Sequence, residues 1–460
     1  MYVGLDFGTT NSSVSIYDGS TVTLLPLDPF SANPRVMRTT LFIARGGTDR
    51  KPEPGERFIG REAINRFTQA NVGRTIEYAW QDFGKTELLD GNGAIIFQSI
   101  GALIDQNIPG RLFQSLKSHL RDSDFVDTNV FGTPYRIEEL IAIVLRMIVD
   151  RIEVILGDKV TRMVIGRPVH YSHNPDHDQI AIDRMREACQ LAALPAFAFL
   201  PEPNAAAVAY ARTAPADQRA LVFDFGGGTL DVTIIATDGK GGSRVLSNDG
   251  VPVGGDVMDQ RIMMGKLLAH FGVDSKIGRQ RMPFPAAISD RLSEWQSIFE
   301  LSHPKYMPII EDLLHTSTQP ELVAQLKVLV NQNYGLPLFE AVEQAKVRLS
   351  NDERTNVSMH VPGIDIEQLI ERWDFERLIG PDIRAVAACV DRAVAAANLS
   401  PNDINVVLRT GGSSRIPAFV RMLTQRFGSA AMVEMDPFTG VAQGLGIAAA
   451  DNAFFDQLQK

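Results

Sequence analysis

Residues Val3–Gly19 read VGLDFGTTNSSVSIYDG, and far along the chain Val222–Gly239 read VFDFGGGTLDVTIIATDG. Each stretch is an apolar strand, then Asp-Phe-Gly with small residues, then a second strand of alternating polarity, then Asp-Gly at a turn. Asp-Gly between two such runs is hairpin chemistry, because glycine reaches the positive φ that a tight hairpin turn needs. The copies lie too far apart for a solenoid period. They predict two homologous lobes, each opening with a β-hairpin.

The residues in the two turns suit a phosphate chain. Phosphate oxygens need backbone N–H donors at close range, and glycine removes the side chain that would stand in the way. Gly8 with Thr9 and Thr10 forms one such nest, and Gly226, Gly227 and Gly228 with Thr229 form the second. Asp6 and Asp224 stand beside them, and a carboxylate repels a bare phosphate. A hydrated magnesium ion between the two groups resolves that conflict. Asp231 offers a further carboxylate, or a group to orient a water. One glycine-rich turn is explained by a tight hairpin alone; two with the same aspartate placement point to function.

Strands alternate with helices between the repeats, which predicts an α/β architecture. Apolar spacing gives helices over Arg136–Leu156, Asp178–Ala192 and Glu202–Ala211, and strands over Arg162–Gly166 and Ala196–Leu200. Later helices fall at Met258–His270, Leu338–Leu349 and Asp382–Ala397, with a strand at Asn405–Leu408. The stretch from about 278 to 335 has helical period (Ile288, Leu292, Trp295, Phe299) and reads as an accessory subdomain, with Trp295 and Phe299 in its core.

The 460 residues carry a formal net charge of −10, which argues against general attraction to nucleic acid or an acidic membrane. The most apolar long segment, Ile141–Ile155, is broken by Arg146, Asp150, Arg151 and Glu153, so it reads as an amphipathic helix. The first residues already read as a strand, so no leader is expected. Cys189 and Cys389 fall in helices without Cys-x-x-Cys spacing, so buried free thiols in the cytoplasm are expected.

These residues resemble the nucleotide-binding domain of the DnaK-type, seventy-kilodalton heat-shock chaperones, within the actin-like ATPase superfamily. Val3–Ser12 is similar to that family's first phosphate motif and Leu221–Asp231 to its second. Glu202-Pro-Asn-Ala-Ala-Ala207, ending in Tyr210, resembles the hinge segment, and Gly254-Gly255-Asp256 with Asp259 resembles the start of a second-lobe helix. Glu343–Ser350 is similar to the adenosine-side helix, and Gly411-Gly-Ser-Ser-Arg-Ile-Pro417 to the nucleotide loop. The resemblance implies two ribonuclease-H-like lobes around a nucleotide cleft. Lobe I would span 1–213 with a return helix at 434–460; lobe II would span 216–433 and carry the helical insertion. It implies ATP or ADP with magnesium as ligands. Asp6 and Asp224 would hold the metal through waters, and Glu202 would help position the attacking water. Thr9 and Thr229 would contact phosphates, with Gly8, Thr10, Asn11, Gly226, Gly227, Gly228, Asp231 and Gly255 around them. Glu343, Lys346 and Ser350 would meet ribose and adenine, with Gly411, Gly412, Ser413 and Arg415 beside the nucleoside.

The departures from the family pattern carry expectations of their own. The family places a catalytic lysine shortly after a Val/Ile-Gly pair; Ile59-Gly60 matches the pair, and Ile64 stands at the lysine's place, with Arg61 and Arg66 nearby. Loss of that cation predicts slow hydrolysis, hence a weak ATPase. Val347 replaces the arginine that stacks on adenine, Phe438 stands where an aspartate is usual, and the segment after Pro168 lacks the family's coupling arginine. After the closing helix (Val441–Asn452) no peptide-binding domain is expected. His170, His173 and His177 share a loop and read as solvent-facing rather than as a metal cluster. Arg372, Trp373 and Arg377 read as a helix surface. The leading expectation is a chaperone-like ATP-binding protein whose lobes close on nucleotide and signal to a protein partner, with no nucleic acid or membrane. A small-molecule kinase with Asp231 as base and an actin-like filament protein are the alternatives.

Overall fold

A computed structural model describes residues 1–48, 51–89, 95–172, 174–212, 218–238, 243–434 and 440–459. His173, the expected lobe boundary at 213–216 and Phe438 lie outside them. The chain forms two compact units: Met1–Arg66, Gly110–Met258 and Ile379–Lys460 make the first, Phe67–Pro109 and Asp259–Leu378 the second.

Ten strands of the first unit carry the repeat. They are β1 (Tyr2–Phe7), β2 (Asn11–Tyr17), β3 (Val22–Leu24), β4 (Arg162–Arg167), β5 (Ala196–Pro201), β6 (Arg219–Phe225), β7 (Leu230–Thr237), β8 (Ser243–Val251), β9 (Val406–Thr410) and β10 (Met432–Glu434). One sheet runs β5-β4-β1-β2-β3, and the other β10-β9-β6-β7-β8. In the first, β1 pairs antiparallel with β2 and parallel with β4. In the second, β6 pairs antiparallel with β7 and parallel with β9. The two sheets are therefore one topology used twice, as the internal repeat predicted.

Burial explains why these runs are strands. Val3, Leu5 and Phe7 of β1 are fully buried, as are Leu221, Val222, Phe223 and Phe225 of β6. Near-continuous apolar strands are what a sheet covered on both faces requires. Helices Ile137–Leu156 and Pro175–Leu191 cover the first sheet, and their apolar faces join Val3, Leu5, Met163 and Ile165 in one core. The first of these helices ends at Gly157, whose φ of 64° only glycine adopts without strain. The second begins at Asn174, whose side chain accepts from the N–H groups of Asp176 and His177.

Between the sheets lies a second core. Val164 and Leu200 from one sheet meet Val222 and Leu408 from the other, with Ala205–Ala207 and Leu445 among them. Helices Glu202–Ala211 and Gly440–Ala450 approach closely there. A Cβ on Gly444 would fall 1.7 Å from the carbonyl oxygen of Ala205, and one on Gly4 would fall 2.1 Å from the nitrogen of Gly446. Cys189 and Cys389 are buried free thiols in helices, as expected.

Among its described residues the second unit holds the helical stretch (Ala286–Ser289, Trp295–Glu300, Met307–Thr316 and Pro320–Asn331), helix Gly335–Leu349 and two long hairpins. Trp295 packs edge-on against Phe67 at 5.8 Å, and Ile288, Leu292 and Ile298 are buried. The hairpins Tyr78–Leu89/Ile95–Asp105 and Arg354–Val361/Ile364–Glu371 have no counterpart among the elements predicted from sequence. Trp373 lies on the surface, 61% exposed, with Arg377 beside its ring. No helix among the described residues is long and apolar enough to cross a membrane.

Candidate functional site

The two Asp-Phe-Gly loops adopt the same turn. Gly8 N–H donates to the Asn11 carbonyl at 3.1 Å, and Gly226 N–H donates to the Thr229 carbonyl at 3.1 Å. They face each other within the first unit. A Cβ on Gly227 would lie 2.1 Å from Thr10 Oγ1, and one on Gly228 would lie 3.7 Å from Thr9 Cγ2. Only glycine leaves that space open. The Thr10 hydroxyl is buried there with no hydrogen-bond partner in the structure. A buried orphan donor beside exposed backbone turns is the mark of a position that a polar ligand completes.

Two further loops lock the second turn in place. Gly255 and Asp256 donate their N–H groups to the carbonyls of Gly226 and Gly227 at 3.1 and 2.8 Å. Gly254 packs so tightly that a Cβ would sit 2.2 Å from the Gly227 oxygen. From the other side, Ser413 Oγ donates to the Gly226 carbonyl at 2.8 Å. Gly411, at φ 79°, passes over Phe225 where any side chain would collide with its carbonyl. Gly412 opens the short turn Gly412–Arg415, on which Arg415 is exposed.

The acidic residues converge beneath these loops. Asp224, one residue before the end of β6, lies opposite Asp231 of β7, and Asp6 takes the equivalent place on β1 opposite Ser13. Thr229 Oγ1 lies 3.4 Å from Asp231 Oδ2. Gly166 on β4 is the floor: its Cβ would lie 3.2 Å from Glu202 Cγ and 3.7 Å from Asp6 Oδ1. Glu202 begins helix Glu202–Ala211 directly after β5, so the sheet edge carries its carboxylate to the other acids.

The cation of the site was missed in the sequence. Lys117 Nζ lies 2.7 Å from Glu202 Oε1, both side chains largely buried. Lys117 comes from the short turn Leu116–Arg121 that follows strand Gly110–Gln114. Ile64, expected to mark a missing lysine, is a core residue at 1% exposure on helix Arg61–Asn71. Arg66 does not reach the acids either; its guanidinium lies over the Phe58 ring and beside Glu62. The signal available in sequence was a lysine between two apolar residues, Leu116 and Leu120, both buried with it. A buried lysine demands a partner, but nothing local names Glu202.

Charge in the site is out of balance. Burial, and next the Glu202 carboxylate, push Asp6 up to about 7 against the pull of Lys117. Asp231 rises to about 7, first by burial and then by Glu202. Asp224 is raised well above the ordinary carboxylate range by burial, Glu202, Asp6 and Asp231. Burial acts to depress the Lys117 ammonium, but Glu202, Tyr171 and Asp6 outweigh it and lift its pKa above the ordinary lysine value. Four carboxylates around one ammonium favour a further positive charge. Among the described residues, no three His, Cys, Asp or Glu side chains are grouped to hold a metal directly.

The remaining predicted residues belong to the second unit. Glu343 and Lys346 lie on helix Gly335–Leu349, and Ser350 caps it. Lys346 Nζ pairs with Asp259 Oδ2 at 2.6 Å, both side chains mostly buried. Val347 is 58% exposed, while the neighbouring Arg348 donates to Thr355 Oγ1 and the Asn356 carbonyl. In the first unit, His170 pairs with Asp178 at 3.1 Å.

Known proteins are similar to this chain in sequence. The profile of the family described as Hsp70 protein matches residues 100–288 and 321–451. The chaperone protein DnaK of Cyanidioschyzon merolae is 27% identical over 458 residues, covering 97% of this chain and 61% of its own length. That of Thermus thermophilus is 25% identical over 468 residues, covering 97% and 60%. The chloroplastic heat shock 70 kDa protein 6 of Arabidopsis thaliana is 27% identical over 458 residues, covering 97% and 52%. The chain thus spans between half and two thirds of the length of these relatives.

Proposed function

This chain belongs to the Hsp70 family, and from that premise we propose that it binds ATP with magnesium between the Asp-Phe-Gly loops and hydrolyses it at the Lys117–Glu202 pair. The actin-like ATPase fold comes with the family, and the doubled sheet agrees with it. The observation that carries the reading is the pair of opposed loops with one shared turn geometry, closing on a buried Lys–Glu pair.

The loops would grip the phosphates through the backbone around Gly8–Asn11 and Gly226–Thr229, with the Thr9, Thr10 and Thr229 hydroxyls as added donors. Asp6 and Asp224 suit a hydrated magnesium ion, which would neutralise both their charge and that of the phosphates. The raised pKa values of these buried acids and the orphan Thr10 hydroxyl support that fit.

Hydrolysis needs a water held in line with the terminal phosphorus and a cation for the equatorial charge. Glu202 is positioned to orient that water by accepting one of its hydrogens, and Lys117 fixes the carboxylate while offering its own charge to the phosphate. The new bond joins water oxygen to phosphorus as the bridging P–O bond to ADP breaks, and the proton leaves with the inorganic phosphate. The slow turnover expected from Ile64 rested on a missing cation. With Lys117 in place that reason falls away.

We further propose that nucleotide state controls a protein partner, by lobe closure within the 1–213 and 216–433 division. The relatives are named as chaperones, which supports a client or co-chaperone as that partner. Net charge of −10 argues against nucleic acid and acidic membrane. A cytoplasmic setting suits the two buried thiols. A magnesium–ATP titration paired with a phosphate-release assay tests the proposal. Saturable binding with release abolished by Glu202→Gln is expected; absence of ATP binding by the folded chain overturns it.

A further inference from the structure

We infer that Tyr171 is a water-holding residue of the proposed hydrolysis site, its buried hydroxyl sharing with Lys117 the water that Glu202 orients; this rests on the reading above. The ammonium of Lys117 lies 6.0 Å from the centroid of the Tyr171 ring, so the aromatic side chain stands beside the Lys117–Glu202 pair. Both residues are buried, Lys117 at 6% and Tyr171 at 8% exposure.

The backbone of Tyr171 is tied on both sides. Its N–H donates to Asp178 Oδ1 at 2.6 Å, on helix Pro175–Leu191. Its carbonyl accepts from Arg121 Nη1 at 3.2 Å. Arg121 belongs to the same short turn, Leu116–Arg121, that carries Lys117. One turn therefore meets Tyr171 twice, at its carbonyl through Arg121 and at its ring through the ammonium. Upstream, Arg167 Nη1 donates to the carbonyls of Pro168 and Val169 at 2.9 Å each, which sets the course of the chain from β4 to Tyr171.

The polar end of this side chain is unmatched. Among the described residues the Tyr171 hydroxyl is buried with no hydrogen-bond partner. Lys117 makes one hydrogen bond among them, to Glu202 Oε1 at 2.7 Å, and an ammonium has three donors. Two buried polar groups that stand near each other without a direct bond are the setting for a bridging water. A water accepting from the ammonium lies beside the Glu202 carboxylate. Its two hydrogens then go to Glu202 and to Tyr171 Oη, one lone pair accepts from Lys117, and the other faces the phosphorus. Burial pushes the phenol up to about 12 against the pull of Lys117, so Tyr171 keeps its own proton throughout. A tyrosine that only filled the core would leave the rate of hydrolysis untouched.

Single-turnover phosphate release and calorimetric titration of magnesium–ATP into the wild type, Tyr171→Phe and Arg121→Gln test this, with thermal melting to confirm folding. Tyr171→Phe keeps the ring and removes the hydroxyl; release is expected to fall about tenfold while ATP affinity stays within about twofold. Arg121→Gln, which loosens the tie between the Lys117 turn and Tyr171, lowers release by less in the same direction. Unchanged release in Tyr171→Phe, or a fall matched by an equal loss of ATP affinity, overturns the role of Tyr171 and leaves the nucleotide reading standing. A folded wild type that binds ATP and releases no phosphate overturns both this role and hydrolysis at the Lys117–Glu202 pair.

Discussion

The ammonium of Lys117 lies 2.7 Å from a carboxylate oxygen of Glu202, eighty-five positions later in the chain. The two belong to different elements, a short turn after strand Gly110–Gln114 and the first residue of helix Glu202–Ala211. Their pairing sets one ammonium among the acids of the site. Without the ammonium, Glu202 would add one more uncompensated charge beside Asp6, Asp224 and Asp231.

Replacing Lys117 by Met should lower phosphate release at least about 100-fold, the usual cost of one preorganised donor at a developing charge. It also strands a buried carboxylate, at about 3–5 kcal/mol of stability. Glu202→Gln keeps the shape without the charge and should lower release comparably with ATP binding retained. Single-turnover phosphate release and thermal melting separate the two effects. Full activity in either variant removes the pair from the mechanism.

Gly227→Ala tests the gap between the loops. The new methyl would sit 2.1 Å from Thr10 Oγ1, so one loop must move away from the other. ATP affinity should fall at least about tenfold, about 1.4 kcal/mol. The double variant with Thr10→Ala should recover part of that loss. Unaltered affinity would mean that phosphate does not pass between the loops.

Stability should fall as pH rises through the window set by the buried acids. Asp6 and Asp231 stand at about 7 in the folded chain against an ordinary value of 3.8. Between those values the folded chain holds protons that the unfolded chain has released, so raising the pH costs the folded state more than the unfolded. The nucleotide-free melting temperature should therefore decline from about pH 4 to about pH 7, and Asp231→Asn should flatten part of the slope. A slope identical in that variant would show that Asp231 titrates normally.

Gly444→Ala should destabilise the fold by about 1–3 kcal/mol, since the methyl falls on the Ala205 carbonyl and the two helices cannot keep their spacing. Urea unfolding measures it. A neutral result would mean the helices separate freely.

Much of the site was legible in the sequence because its parts are local. The turns around Gly8 and Gly226, the aspartates before them and the glycines at 411 and 412 each lie within a few residues of their own signal. Helix Glu202–Ala211 was read to its observed ends, since Pro203 and the following alanines mark it. Ile64 misled for the opposite reason. Counting from Ile59-Gly60 assumes that the lysine follows at short range, but here helix Arg61–Asn71 and strands Tyr78–Leu89 and Ile95–Asp105 come before Lys117.

The sequence by itself determined the doubled plan. Two similar stretches of apolar strand, Asp-Phe-Gly and second strand must fold alike, and they form the equivalent antiparallel pairs β1-β2 and β6-β7 of the two sheets. Tertiary structure alone decided which cation meets the acids, that Gly227 faces Thr10, and that Asp178 orients His170. Periodicity and turn chemistry act over a few residues, whereas a buried charge finds its partner only when separate elements pack and water leaves the space between them.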